Sequence, residues 1–98
     1  MLAKKYSKDK KNCDVTFDLP AEVNAQTALL CGDFTEWADA SREMEQQEDG
    51  SFTLTVSLPA EREYNFRYLL DNERWENDEE ADAYVPNPFG TQNSVVRI

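Results

Sequence analysis

Polar and apolar residues alternate along much of this chain with the two-residue period of a β-strand. Val15, Phe17 and Leu19 alternate with Thr16 and Asp18, and Pro20 stops the run. From Ser51 to Leu58, Phe52, Leu54, Val56 and Leu58 share one face and Thr53, Thr55 and Ser57 the other, with Pro59 as terminator. From Glu63 to Leu70, Tyr64, Phe66, Tyr68 and Leu70 face one way while Asn65, Arg67 and Leu69 face the other. The apolar run Ala28 to Cys31 and the C-terminal segment Ser94 to Ile98 add two short strands.

Turn residues fall between these runs. Gly32, Gly50 and Gly90 each follow or precede a strand, and Asp49-Gly50 is a strong hairpin signal. Asp71-Asn72 marks a second reversal, because asparagine tolerates the left-handed conformation. No segment keeps a helical period; Thr35 to Gln47 holds one turn of helix at most. Glu73 to Thr91, with Pro86 and Pro88, reads as a long loop, a feature that compact domains usually reserve for function or mobility. Short strands separated by frequent turns predict an all-β chain, an antiparallel β-sandwich of the immunoglobulin-like kind.

Composition narrows what such a sandwich can do. Ninety-eight residues fit one domain, and 40% apolar content is enough for one modest core. The formal net charge is −10, with no histidine. All five lysines (Lys4, Lys5, Lys8, Lys10, Lys11) lie in the first eleven residues beside one acid, Asp9, so that segment carries +4. Five arginines against nineteen acids leave the rest at −14. The expected organisation is a basic flexible tail over residues 1–11 and a folded domain over 12–98. A body this acidic repels phosphate backbones, so nucleic acid is not an expected partner.

Zero histidines exclude a Ser-His-Asp or Cys-His apparatus and every histidine-based zinc site. The acidic run Glu76, Asp78, Glu79, Glu80 and Asp82 lacks the ligand spacing and central glycine of an EF-hand loop, so it reads as a solvated charged loop. No metal or cofactor is expected. No stretch approaches the roughly twenty apolar residues of a membrane span. Met1 to Lys11 lacks the apolar run of a secretory signal, so a cytoplasmic location and free thiols at Cys13 and Cys31 are expected.

The segment Gly32-Asp33-Phe34-Thr35-Glu36-Trp37 resembles the G-D/S-F-N-x-W signature of the family 48 carbohydrate-binding modules. These are also known as isoamylase N-terminal domains and as the glycogen-binding domain of the AMP-activated protein kinase β subunit. The resemblance continues through Met44, Asp49-Gly50-Ser51-Phe52, Leu58-Pro59, Tyr64 to Asp71, Trp75, Asp78, and Asn87 to Val96, covering roughly residues 13 to 98. It implies an early-set β-sandwich that binds α-1,4-linked glucan (glycogen, starch or maltooligosaccharide). By position, the implied sugar-binding residues are Trp37, Trp75 and Arg67, joined by Phe89, Thr91 and Asn93. Asn72 stands where the family has glycine and Glu79 where it often has proline. An extra residue separates Asp71 from Trp75 relative to the kinase-subunit version.

The residue types suit that chemistry. A glucose ring has C–H faces and a hydroxyl rim, so flat indoles cover the faces while polar groups bond the rim. Arg67 offers several donors in a fixed fork and lies on the strand face opposite Tyr64, Phe66 and Tyr68. Asn93 offers both donor and acceptor. On the residues alone, each tryptophan serves equally as a core anchor, and Arg67 as an ion-pair partner for nearby acids. The expected function is a non-catalytic, free-standing glucan-binding module. The alternative is a protein-interaction module that docks on a glycan-metabolising enzyme or kinase without binding sugar. A hydrolase is the weakest reading: carboxylates are abundant, but a sandwich supplies no cleft that pairs two of them across a glycosidic bond.

Overall fold

The computed structural model describes residues 2–33, 42–88 and 90–98. Strand β2 (Asn12–Leu19) is the most regular expression of the sequence pattern: Cys13, Val15, Phe17 and Leu19 are buried, and the residues between them are exposed or half-buried. It pairs antiparallel along its whole length with β6 (Phe52–Pro59), which buries Phe52, Val56 and Leu58 and packs Leu54 against the same core. On the outer face of this pair the Thr16 and Thr55 hydroxyls hydrogen-bond at 2.8 Å.

Residues 2–6, expected to belong to a flexible basic tail over 1–11, form a strand. Leu2–Tyr6 is strand β1, paired with β2 from Leu2 opposite Phe17 to Tyr6 opposite Cys13. Leu2 packs against the core, Lys5 lies opposite Asp14, and Lys4 Nζ reaches Asp82 at 2.6 Å. The segment alternates too briefly for the pattern to show, and Lys4 finds an acidic partner on the body. Lys8 and Lys10 fall in the turn between β1 and β2.

The chain then builds a second sheet. Strand β3 (Ala28–Gly32) pairs with β7 (Glu63–Leu70), and β7 pairs with β10 (Gln92–Arg97). Of the stretch Thr35 to Gln47, residues 42–47 contain two short strands and no helix, and 35–41 lie outside the described residues. Strand β4 (Arg42–Glu43) pairs with β3, whereas β5 (Glu45–Gln46) pairs with β6. The buried Met44 marks the crossing from one sheet to the other.

The segment Glu73 to Thr91, read as loop, contains two strands. Strand β8 (Arg74–Glu76) folds back on β7, and β9 (Ala83–Pro86) pairs with β10. Both are too short to show a repeat, and Pro86 sits in the outermost strand of its sheet, where a missing N–H is tolerated. Sheet orders are β1-β2-β6-β5 and β4-β3-β7-β10-β9, with β8 beside β7 beyond the end of β10. The inner faces meet in an all-β sandwich of the immunoglobulin-like class, whose core includes an edge-on Phe17–Phe66 contact at 5.0 Å and a second between Phe66 and Tyr68 at 5.6 Å. Cys13 and Cys31 are buried free thiols.

Candidate functional site

Strand β7 divides its side chains as its sequence predicts: Tyr64, Phe66, Tyr68 and Leu70 enter the core, and Asn65, Arg67 and Leu69 line the outer face of the second sheet. The hairpin to β8 decides what joins them there. Asp71 and Asn72 both adopt left-handed backbone, with φ of 54° and 60°, and Glu73 N–H closes on Leu70 O. The extra residue before Trp75 is absorbed in this turn, and Trp75 comes to lie opposite Leu69. Asp71 anchors the turn, its Oδ1 accepting from the backbone N–H groups of Gln26 and Thr27.

Trp75 therefore stands on the outer face and is 40% exposed. The Arg67 guanidinium lies over its ring, 5.3 Å from the centroid, a cation–π contact that orients both side chains. Arg67 Nε is buried and has no hydrogen-bond partner among the described residues.

The β7–β10 register sets Phe66 opposite Ser94, which brings Asn93 to the next rung, beside Arg67. Asn93 is opposite Val85 on β9, and the β9–β10 hairpin closes beyond them at Asn87 and Thr91, joined by Asn87 N–H to Thr91 O at 3.0 Å. Within that hairpin Gly90 has φ of 81°, a conformation that glycine accepts without strain. Trp75, Arg67, Asn93 and Thr91, drawn from three strands and a turn, lie on the same side of the sheet; Trp75 and Thr91 are exposed, Arg67 is half-buried, and Asn93 keeps only 9% of its surface open. Trp37 and Phe89 lie outside the described residues.

Behind this face, the acidic run is only partly the solvated loop it was expected to be. Asp78 is buried: Oδ2 accepts from the Tyr68 hydroxyl at 2.7 Å and Oδ1 from Glu80 N–H at 2.8 Å. Its own N–H donates to Ser94 Oγ, whose hydroxyl donates to Asn77 Oδ1, and the Tyr84 hydroxyl donates to its carbonyl. Burial, then the adjacent Asp78 charge, push the Tyr68 phenol far above its usual range, so it remains a neutral donor. Asn77 Nδ2 also donates to Gln92 O, tying the strand that follows Trp75 to the strand that carries Asn93. Among the described residues, no group of three acidic or cysteine side chains is placed to hold a metal ion.

Two residues of this region that the motif contains were given no role by the sequence. Asp78 stands in a run of acids, and nothing in the sequence signals that it alone of them is buried. Asn87 precedes a Pro-Phe-Gly turn, a position where a side-chain amide often bonds local backbone, and that is the signal it carried.

The fold is an all-β sandwich of two antiparallel sheets, with an aromatic and several polar side chains set on one outer side. The chain matches, over residues 8–98, the family described as the glycogen recognition site of AMP-activated protein kinase, and it belongs to that family. No curated protein matches it. Among the described residues no helix is long and apolar enough to cross a membrane.

Proposed function

We propose that the protein binds α-1,4-linked glucan on the outer face of the second sheet and acts there without catalysis. The observation that carries this reading is the exposed Trp75 with the Arg67 guanidinium over its ring. An indole half open to solvent presents apolar area to the C–H face of a glucose ring, and the arginine beside it offers donors to the hydroxyl rim. Thr91 and Asn93 extend the polar edge. Trp37 and Phe89 complete the platform by their positions in the family motif, two tryptophans embracing a curved chain. An uncharged polymer explains how a site on a body near −14 works: the acids do not oppose the ligand, and they repel nucleic acid. A shallow face orders few groups, so affinity lies in the micromolar to millimolar range and changes little with added salt.

Co-sedimentation with glycogen, with titration by a cyclic maltooligosaccharide, tests this. Wild type binds; Trp75→Ala and Trp37→Ala lose binding while keeping the fold. Retained binding in both variants would refute the platform. Release of reducing ends from maltooligosaccharide by the purified protein would refute the non-catalytic role.

A further inference from the structure

The Asn87 side chain engages both Thr91 and Asn93. Its Nδ2 hydrogens go to Thr91 Oγ1 at 2.8 Å and to Asn93 Oδ1 at 3.1 Å, and its Oδ1 accepts from Thr91 N–H at 3.2 Å. Each bond fixes a direction. Thr91 Oγ1, already accepting from Asn87, keeps its own hydrogen to donate elsewhere. Asn93, with its oxygen held, turns its Nδ2 group away from Asn87, and no described protein group accepts those hydrogens. Arg67, a side chain with donors only, lies on the adjacent rung.

We infer that Asn87 is a positioning residue that sets the hydrogen-bond polarity of this face, so that Thr91 and Asn93 present donors outward and the site reads the oxygen lone pairs of its ligand. The inference rests on the glucan-binding reading above and adds to it a rule of recognition. A sugar hydroxyl bonds in either sense, but this face takes it as an acceptor. A ligand oxygen whose lone pairs are already used, or a group that only donates, is a poor partner there.

Asn87→Asp tests the rule with little change of shape. A carboxylate only accepts, so Thr91 O–H turns inward to donate to it, and the Asn93 amide flips to do the same, leaving its oxygen outward. The exposed face then changes from donating to accepting. Binding of β-cyclodextrin, measured by calorimetry at neutral pH, is expected to weaken about five- to fiftyfold in Asn87→Asp, the scale of one or two mispaired hydrogen bonds. The melting temperature stays within a few degrees of wild type. In the free variant the Asn93 side-chain amide resonances move, reporting the flip.

A structural role alone would lower the melting temperature without moving those amides. Asn87→Asp with wild-type affinity, while Trp75→Ala has lost binding, would overturn the polarity assignment and leave the platform standing. Wild-type affinity in both variants would overturn the platform and the assignment together. If Asn87→Asp does not fold, Thr91→Val supplies the second readout: it removes the outward donor together with the Oγ1 that accepts from Asn87, keeps the Asn87 bond to Asn93, and unchanged affinity there overturns the assignment as well.

Discussion

The Tyr68 hydroxyl donates to Asp78 Oδ2 over 2.7 Å, joining a core strand to the chain that leaves β8. A polar group buried in that position is costly unless it is hydrogen-bonded. Tyr68→Phe removes the donor and keeps the ring, so it is expected to cost about 1.5–3 kcal/mol in urea denaturation. Asp78→Ala costs more, because it orphans the phenol and the Glu80 N–H together. A Tyr68→Phe variant as stable as wild type would show that the bond contributes nothing.

Acid sensitivity follows from the carboxylates that brace the turns. The N–H groups of Gln26 and then Thr27 hold the Asp71 carboxyl below the usual range. At Asp82, partial burial pushes upward and is outweighed by the Arg97 N–H and the Lys4 ammonium, so its carboxyl is also held low. A carboxyl lowered by folding contributes stability that is complete above its unfolded value, about 3.9, and is lost as pH falls through the folded value. The stability difference between wild type and Asp71→Asn is therefore expected to be level from pH 7 to about 5 and to shrink below about 4. A difference independent of pH down to 2 would remove Asp71 from this role.

Asn72 holds a left-handed conformation at a family glycine position, and the turn forms regardless. Asn72→Gly relieves that backbone while adding freedom to the unfolded chain, so the two effects nearly cancel, within about 1 kcal/mol. Glucan affinity should be unchanged. A large rise in affinity would mean that asparagine displaces Trp75 from its working position.

Lys4 sits on an edge strand with its ammonium held by Asp82, both side chains about three-quarters covered. Removing such a partly exposed pair costs less than about 1 kcal/mol. Its larger service is to keep a flat edge from pairing with another. Lys4→Val is expected to leave the melting temperature within a few degrees and to raise self-association, measured by light scattering. A variant that stays monomeric at high concentration would remove that role.

The strands that bury one whole face were legible in the sequence, because a period of two over eight residues in β2, β6 and β7 leaves little choice of register. The outward placement of Arg67 came from the same rule. Strands β1, β4, β5, β8 and β9 were not, since two to five residues cannot show a period and their position depends on partners distant in the chain. The site divides in the same way. Trp75, Thr91 and Asn93 were proposed from motif spacing, whereas Asn87 and Asp78 also bond residues four to sixteen positions away, which no local pattern reports.

The pairing across the turn between β7 and β8 governs recognition. Residues opposite each other in an antiparallel pair share a face, so it is the Trp75–Leu69 pairing that keeps the indole outside. A turn of different length leaves the ring there as long as that pairing is kept. A slip that set Trp75 opposite Tyr68 or Leu70 would send it toward the core and bring Arg74 or Glu76 outside in its place. Strand register, more than the length of the loop, is thus what recognition depends on.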